Sequence, residues 1–155
     1  MISAYFDELV EGAEFESARR TVTETDVVQF AGLSGDFHPL HTDEIHSRQS
    51  QFGSRIAHGM LTLAIASGLV TLSRDSVRAF YGMDKVRFLR PVAFGDTLFV
   101  RSRVACLEQS TDDNGIVTLG VVVINQDDNP VVAMDMKFLV ASRASDTGIT
   151  SSRST

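Results

Sequence analysis

Apolar and polar positions alternate along four late stretches of the chain: Lys85 to Leu89, Thr97 to Leu107, Ile116 to Asn125 and Val131 to Val140. Turn-forming residues divide them, first Pro91 with Gly95 and Asp96, then Asp112-Asp-Asn-Gly115, then Asp127-Asp-Asn-Pro130. Period-two runs rich in β-branched residues between such breaks predict an antiparallel meander of long strands. Residues 13 to 23 carry a looser strand pattern. Thr23 then offers a helix N-cap with Asp26 three positions on, a weak form of the capping box. Val27, Val28, Phe30, Ala31 and Leu33 fill the helical window that follows, until Gly32 and Gly35 interrupt it. The helix therefore ends in a loop running from Ser34 to His41, where Pro39 fixes its own φ and pushes His38 toward extended geometry. Thr42 to Gln51 is polar and reads as a short surface helix.

Between this loop and the strands lies the least polar part of the chain. Ile56 to Ser73 is 18 residues without Asp, Glu, Lys or Arg, the length at which a membrane span is considered. His58, Gly59, Thr62, Ser67, Gly68, Thr71 and Ser73 make it too polar for lipid. It reads instead as a helix from about Met60 to Leu72, apolar nearly all round, which the strands must wrap. One such helix followed by a meander is an α+β layout in a single domain over residues 1 to 140. Ala141 to Thr155 holds eight Ser or Thr and no aromatic, and reads as a disordered tail.

Charge narrows the possible partners. Fourteen Lys plus Arg stand against twenty Asp plus Glu, for a net charge of −6 and a pI near 5.1. Nucleic-acid binding needs a basic face to displace counterions, so it is not expected. The acidic first residues lack a signal peptide's basic start and apolar core, which points to the cytoplasm. Cys106, the single cysteine, sits in an alternating apolar run and reads as a small buried hydrophobe. Nucleophile-elbow, phosphate-loop and paired-cysteine zinc signatures do not occur.

The candidate chemistry is concentrated. All four histidines, His38, His41, His46 and His58, fall within 21 consecutive residues, with Asp36, Asp43 and Glu44 beside or among them. A bend at Pro39 can aim Asp36 and His41 at one pocket, where a carboxylate and an imidazole are suited to share a water. The alternative is a turn Asp with an incidental surface His. Gly59 opens the uncharged helix. The first turn of a helix leaves N–H donors unpaired, and a residue without a side chain lets a ligand carbonyl approach them. His58 alone reads more readily as structural than as a ligand.

These segments resemble the MaoC-like (R)-specific enoyl-CoA hydratases of hot dog fold. Ser34-Gly35-Asp36-Phe37-His38-Pro39-Leu40-His41 is similar to the family's hydratase motif, and Arg55-Ile-Ala-His58-Gly59-Met60-Leu61 to the opening of its central helix. Val86-Arg-Phe-Leu-Arg-Pro-Val92 with Gly95-Asp96-Thr97-Leu98 is similar to its next strand and turn. The resemblance implies an antiparallel sheet around a long helix, two subunits joined sheet edge to sheet edge, and reversible hydration of a trans-2-enoyl thioester to the (R)-3-hydroxyacyl product. It also implies that Asp36 and His41 hold and activate the water, with Asp36 the preferred base. By the same resemblance the Gly59 amide is expected to receive the thioester oxygen, and Ser67 to help orient the pair. No cofactor or metal is implied.

The chain departs from the motif at His38, where Asn is usual, which leads us to expect an additional acid limb in the pH profile. His38, His58 and Met60 are the expected substrate neighbours. Arg87, Arg101 and Arg103 are candidates for the phosphates of an acyl-CoA or the surface of an acyl-carrier protein, although each also suits a solvated sheet face. Two other functions compete: a hot dog acyl-CoA thioesterase, and a non-catalytic module that holds a thioester, or a metal through His38, His41 and His46.

Overall fold

The computed structural model describes residue 2 and residues 4–143. Four long strands form its centre. β4 (Thr97–Thr111), β5 (Asn114–Ile124) and β6 (Pro130–Ala141) follow one another as an antiparallel meander, and β3 (Val77–Phe88) closes the far side against β6. β1 (Glu14–Glu16) and β2 (Arg20–Thr21) pair with the other side of β4, so the sheet order is β1-β4-β5-β6-β3. Alternation decides which face turns inward. In β6, Val132, Met134, Met136, Phe138 and Val140 are buried, while Ala133, Asp135, Lys137 and Leu139 are only partly covered.

Four helices supply the other layer: α1 (Glu24–Ser34), α2 (Pro39–Thr42), α3 (Glu44–Arg48) and α4 (Gly59–Leu69). Leu61, Leu63, Ile65 and Ala66 of α4 share one core with Val100, Val104, Leu119, Val121 and Met136 of the sheet. The start of α1 is fixed as its sequence suggests. Thr23 Oγ1 accepts from the Asp26 N–H at 3.2 Å and the Asp26 carboxylate accepts from the Thr23 N–H at 2.8 Å, a cap of the kind that contributes about 1 kcal/mol. Its end is fixed by Gly35, whose φ of +76° turns the chain toward the candidate site.

The fold departs from the expected layout in four places. α4 runs from Gly59 to Leu69 rather than from Met60 to Leu72, and it is not wrapped all round, because Met60, Ala64, Ser67 and Gly68 lie exposed along one flank. β3 begins at Val77, well before Lys85. Three register shifts and a positive φ of 52° at Lys85 break the alternation that would have revealed it. Pro39 to His41, expected as loop, form a helical turn with Thr42, with Pro39 at its start, and the surface helix expected over 42–51 is confined to α3, Glu44–Arg48. His38 caps that turn, its Nδ1 accepting from the Leu40 N–H at 3.3 Å. β6 reaches Ala141, and Ser142 after it is buried. The rest of the expected tail, 144–155, lies outside the described residues. Among the described residues, no helix is long and apolar enough to cross a membrane.

Candidate active site

The chain enters the site at the end of α1. Gly35 donates to the Ala31 carbonyl at 2.9 Å, and Asp36 then closes a turn by accepting from the His38 N–H at 3.1 Å through Oδ1. Its other carboxylate oxygen has no recorded partner among the described residues. The short turn of α2 carries His41 inward, where Nδ1 donates to the Ile56 carbonyl at 2.7 Å. Because a carbonyl only accepts, the proton sits on Nδ1 and the lone pair on Nε2. Burial pushes the His41 imidazole below its ordinary range; the bond to Ile56 and the Asp36 carboxylate oppose this, and the neighbouring His58 and His38 rings add to it. The ring is therefore neutral at pH 7.

Asp36, His41 and His58 come together, each offering an atom within 4.8 Å of the others'. They line a cavity of 570 Å³ with Phe52, Gly59, Met60, Thr62, Phe88, Arg90 and Val132 among its walls. The cavity meets the beginning of α4, where His58 occupies the cap position without a side-chain cap bond. No partner is recorded among the described residues for the Gly59 N–H, which is an orphan donor by its place in the first turn. A methyl group at Gly59 would stand 2.8 Å from the Phe88 ring, so only glycine leaves that ring where it is. Arg55 braces the surroundings, binding Glu24 of α1 at 2.6 Å and Glu44 of α3 at 3.0 Å.

A carboxylate and two imidazoles invite comparison with a metal centre. The geometry is poor for one. The His41 and His58 rings are stacked, centroids 3.8 Å apart and 31° between planes, so their in-plane lone pairs run side by side instead of converging. His58 Nε2 is also engaged with the Asp36 carbonyl at 2.9 Å. His38 and His46, weighed with His41 as ion ligands, do not join this group among the described residues.

The other expected site residues separate into near and far. His38 lies at the edge of the site, its ring centroid 6.1 Å from that of His41, but it is exposed and spends Nδ1 on its backbone cap. His58 lines the cavity but is buried, its ring against that of His41. Met60 lines the cavity and also a second one. Ser67 does not reach Asp36 or His41: its hydroxyl donates to the Ala64 carbonyl at 2.8 Å, and it lines that second, apolar cavity of 560 Å³ with Phe30, Leu63, Leu72, Phe80, Met83 and Phe138.

The arginines expected to meet phosphates are not at the cavity. Arg101 and Arg103 belong to a separate groove on β1, β4 and β5, where Arg101 pairs with Glu16 at 3.0 Å and faces Asp128 at 3.5 Å. Period-two spacing put both on one face of β4, and that face is the outer one. Arg87 is exposed and donates to the Val86 carbonyl. Arg90, three residues on, lines the cavity instead, held by the Pro130 carbonyl at 2.9 Å. Sequence reasoning also missed the Ile56 carbonyl that sets the His41 tautomer. A main-chain contact of this kind leaves no residue-type signal.

A sheet curved over one central helix, with its reactive groups gathered at the start of that helix, defines a hot dog fold. A Mycobacterium tuberculosis protein described as having a double hotdog fold superposes with a TM-score of 0.82 at 24% identity, over 90% of this chain and 44% of that one. The chain belongs to the MaoC-like dehydratase family, whose model, the MaoC like domain, matches residues 8–126. It is 45% identical over 98 residues to Protein MaoC of Klebsiella aerogenes, covering 63% of this chain but only 29% of that protein. It is 36% identical over 98 residues to the (R)-specific enoyl-CoA hydratase of Rhodospirillum rubrum, covering 63% of this chain and 67% of that one. A solved structure from Archaeoglobus fulgidus, described as a monoamine oxidase regulatory protein, superposes with a TM-score of 0.85 at 38% identity, over 92% and 97% of the two chains.

Proposed function

We propose that the protein is a hydro-lyase that adds water reversibly to a trans-2-enoyl thioester, giving the (R)-3-hydroxyacyl thioester. The observation that carries this reading is the meeting of the Asp36 carboxylate and the His41 lone pair in one cavity with the orphan amide of Gly59. A water between the first two donates one hydrogen to each. As its oxygen adds to C3, Asp36 takes the proton and the thioester oxygen gathers the electron pair as an enolate. The Gly59 N–H stabilises that oxygen, a role worth about 3 kcal/mol for one well-placed donor. The proton then passes to C2. His41 keeps the water oriented and, being neutral, can share the proton's path.

The substrate is an acyl-CoA or an acyl-carrier-protein thioester. Its carbonyl lies at Gly59, its acyl chain passes Met60 into the apolar cavity, and Arg90 stands at the wall. The protein works in the cytoplasm as a homodimer. Among the described residues β3 pairs only with β6 and exposes Phe80, Tyr81 and Phe88, and the open flank of α4 lines a cavity with it. Such an apolar edge suits a second copy pairing strand to strand.

The deciding experiment is hydration of a series of short- and medium-chain trans-2-enoyl-CoA and enoyl-carrier-protein thioesters, with product chirality determined. Formation of the (R)-3-hydroxyacyl product is expected. Inertness toward both series would end the proposal, and release of free thiol from a saturated acyl-CoA would favour a thioesterase. Light scattering is expected to give the mass of a dimer; a monomer would contradict the paired-edge assembly.

A further inference from the structure

His58 takes no part in the scheme above, although it is the most deeply buried imidazole around Asp36, with 2% of its surface exposed. Its ring fills a slot between Phe30, at a centroid distance of 5.0 Å and a tilt of 55°, and His41, at 3.8 Å and 31°. Nε2 lies 2.9 Å from the Asp36 carbonyl oxygen, which can only accept, so Nε2 carries the proton. Nδ1 is buried with no partner among the described residues. A phenylalanine would occupy the same slot without stranding a nitrogen. What the imidazole adds to that packing is one donor, directed at the main chain of the reacting carboxylate.

We propose that His58 is a positioning residue. Its Nε2–H anchors the main chain of Asp36, and its face fixes the plane of the His41 ring, so that carboxylate and lone pair are held at the spacing one water can bridge. The idea rests on the hydration reading for its kinetic consequence but not for its geometry. Both groups it acts upon sit on the short bend between α1 and α3, and neither is held there by a long element. Asp36 is exposed and closes only a local turn. Its carbonyl bond to His58 ties that turn to the N-terminus of α4, and so places the carboxylate relative to the Gly59 amide as well. The polar groups that act on the two stacked rings are Asp36, His38 and the Ile56 and Asp36 carbonyls; α1 contributes Phe30, which bears no charge.

Two variants separate this role from packing because the two roles rank them in opposite order. His58→Gln places an amide N–H near the position of Nε2 but loses the flat ring, whereas His58→Phe keeps the ring and loses the donor. We expect His58→Phe to lower kcat by about tenfold or more with KM changed less than about twofold, and His58→Gln to retain most of kcat. A His58→Phe enzyme with wild-type kcat would overturn the proposal, as would a His58→Gln enzyme more impaired than His58→Phe. Nitrogen NMR of the wild-type imidazoles needs neither variant to fold nor any activity. It should show His58 protonated at Nε2 with slow exchange, and protonation at Nδ1 instead would overturn the proposal. Should the wild-type protein hydrate no enoyl thioester, the hydration reading fails while the tautomer measurement still decides whether His58 anchors Asp36.

Discussion

Met60 stands between two cavities of nearly equal size, 570 and 560 Å³, that are chemically unlike. One is walled by a carboxylate, two imidazoles and an open helix terminus. In the other the Ser67 hydroxyl is the one polar side chain on the wall, and that hydroxyl is turned back to its own helix. The difference follows from how each is built. The polar cavity is made of chain bends, where Gly35 and Pro39 free polar side chains from the periodicity of a helix. The apolar cavity is made of the flanks of two long elements, α4 presenting Met60, Leu63, Ala64 and Ser67 at helical spacing and the bulged β3 presenting Phe80 and Met83. In the proposed hydration, reaction and acyl-chain binding are thereby kept apart, with Met60 at the boundary.

The sharpest way to break this division is Asp36→Asn, which keeps the shape and removes the base. We expect turnover to fall by about 10²-fold or more with the melting temperature unchanged, measured by steady-state hydration. His41→Ala should lose a comparable factor. Because burial holds the His41 imidazole below its ordinary range, the acid limb of wild-type kcat/KM should fall below about pH 6.5. The neutral ring persists into more acidic solution than a free histidine would allow. His38 accepts the Leu40 N–H through Nδ1, a bond that an asparagine in its place can also make. The additional acid limb expected from the sequence is tested by His38→Asn, and a profile identical to the wild type would remove it.

Gly59→Ala comes next, with a loss of about tenfold, since the new methyl displaces Phe88 and crowds the amide that receives the enolate. Substitutions on the apolar side should act on preference instead of rate. Met60→Ala is expected to shift relative kcat/KM between short and medium acyl chains by about 1–3 kcal/mol at most, and Ser67→Ala to change short-chain turnover by less than about twofold. The smallest effect belongs to Arg101→Ala, on the outer groove away from both cavities, where hydration kinetics should match the wild type within about twofold and stability should change by less than about 1 kcal/mol. A strong effect there would move phosphate recognition to the outer face.

Much of the fold was legible because its signals were local. Thr23 with Asp26 announced α1, the turns at 112–115 and 127–130 separated the long strands, and the uncharged run marked α4. The bend that brings Asp36 to His41 was legible for the same reason, since Gly35 and Pro39 act within their own few bonds. What was not legible depended on the path of distant chain. The bulges of β3 erased its alternation, the tautomer of His41 depends on the carbonyl of Ile56, and Arg101, which suited a ligand's phosphates or a solvated sheet face, lies on an outward-looking face. Ser67 shows the limit of a motif carried over by position. The residue type matched, and the helix flank on which it lies opens to a different chamber.

The two borders of the sheet are unequal. Among the described residues its twelve-residue β3 border pairs with no strand on the side away from β6, whereas the opposite border, on β4, is met at Thr97 and Leu98 by β2 and at Arg101 to Arg103 by β1. In the proposed assembly a copy that docks through β3 uses the same border on both chains, so the contact is self-complementary and closes on two copies. Dilution would reverse this and bare an aromatic rim, so heat-induced clumping should begin from the separated chains and be suppressed at higher protein concentration.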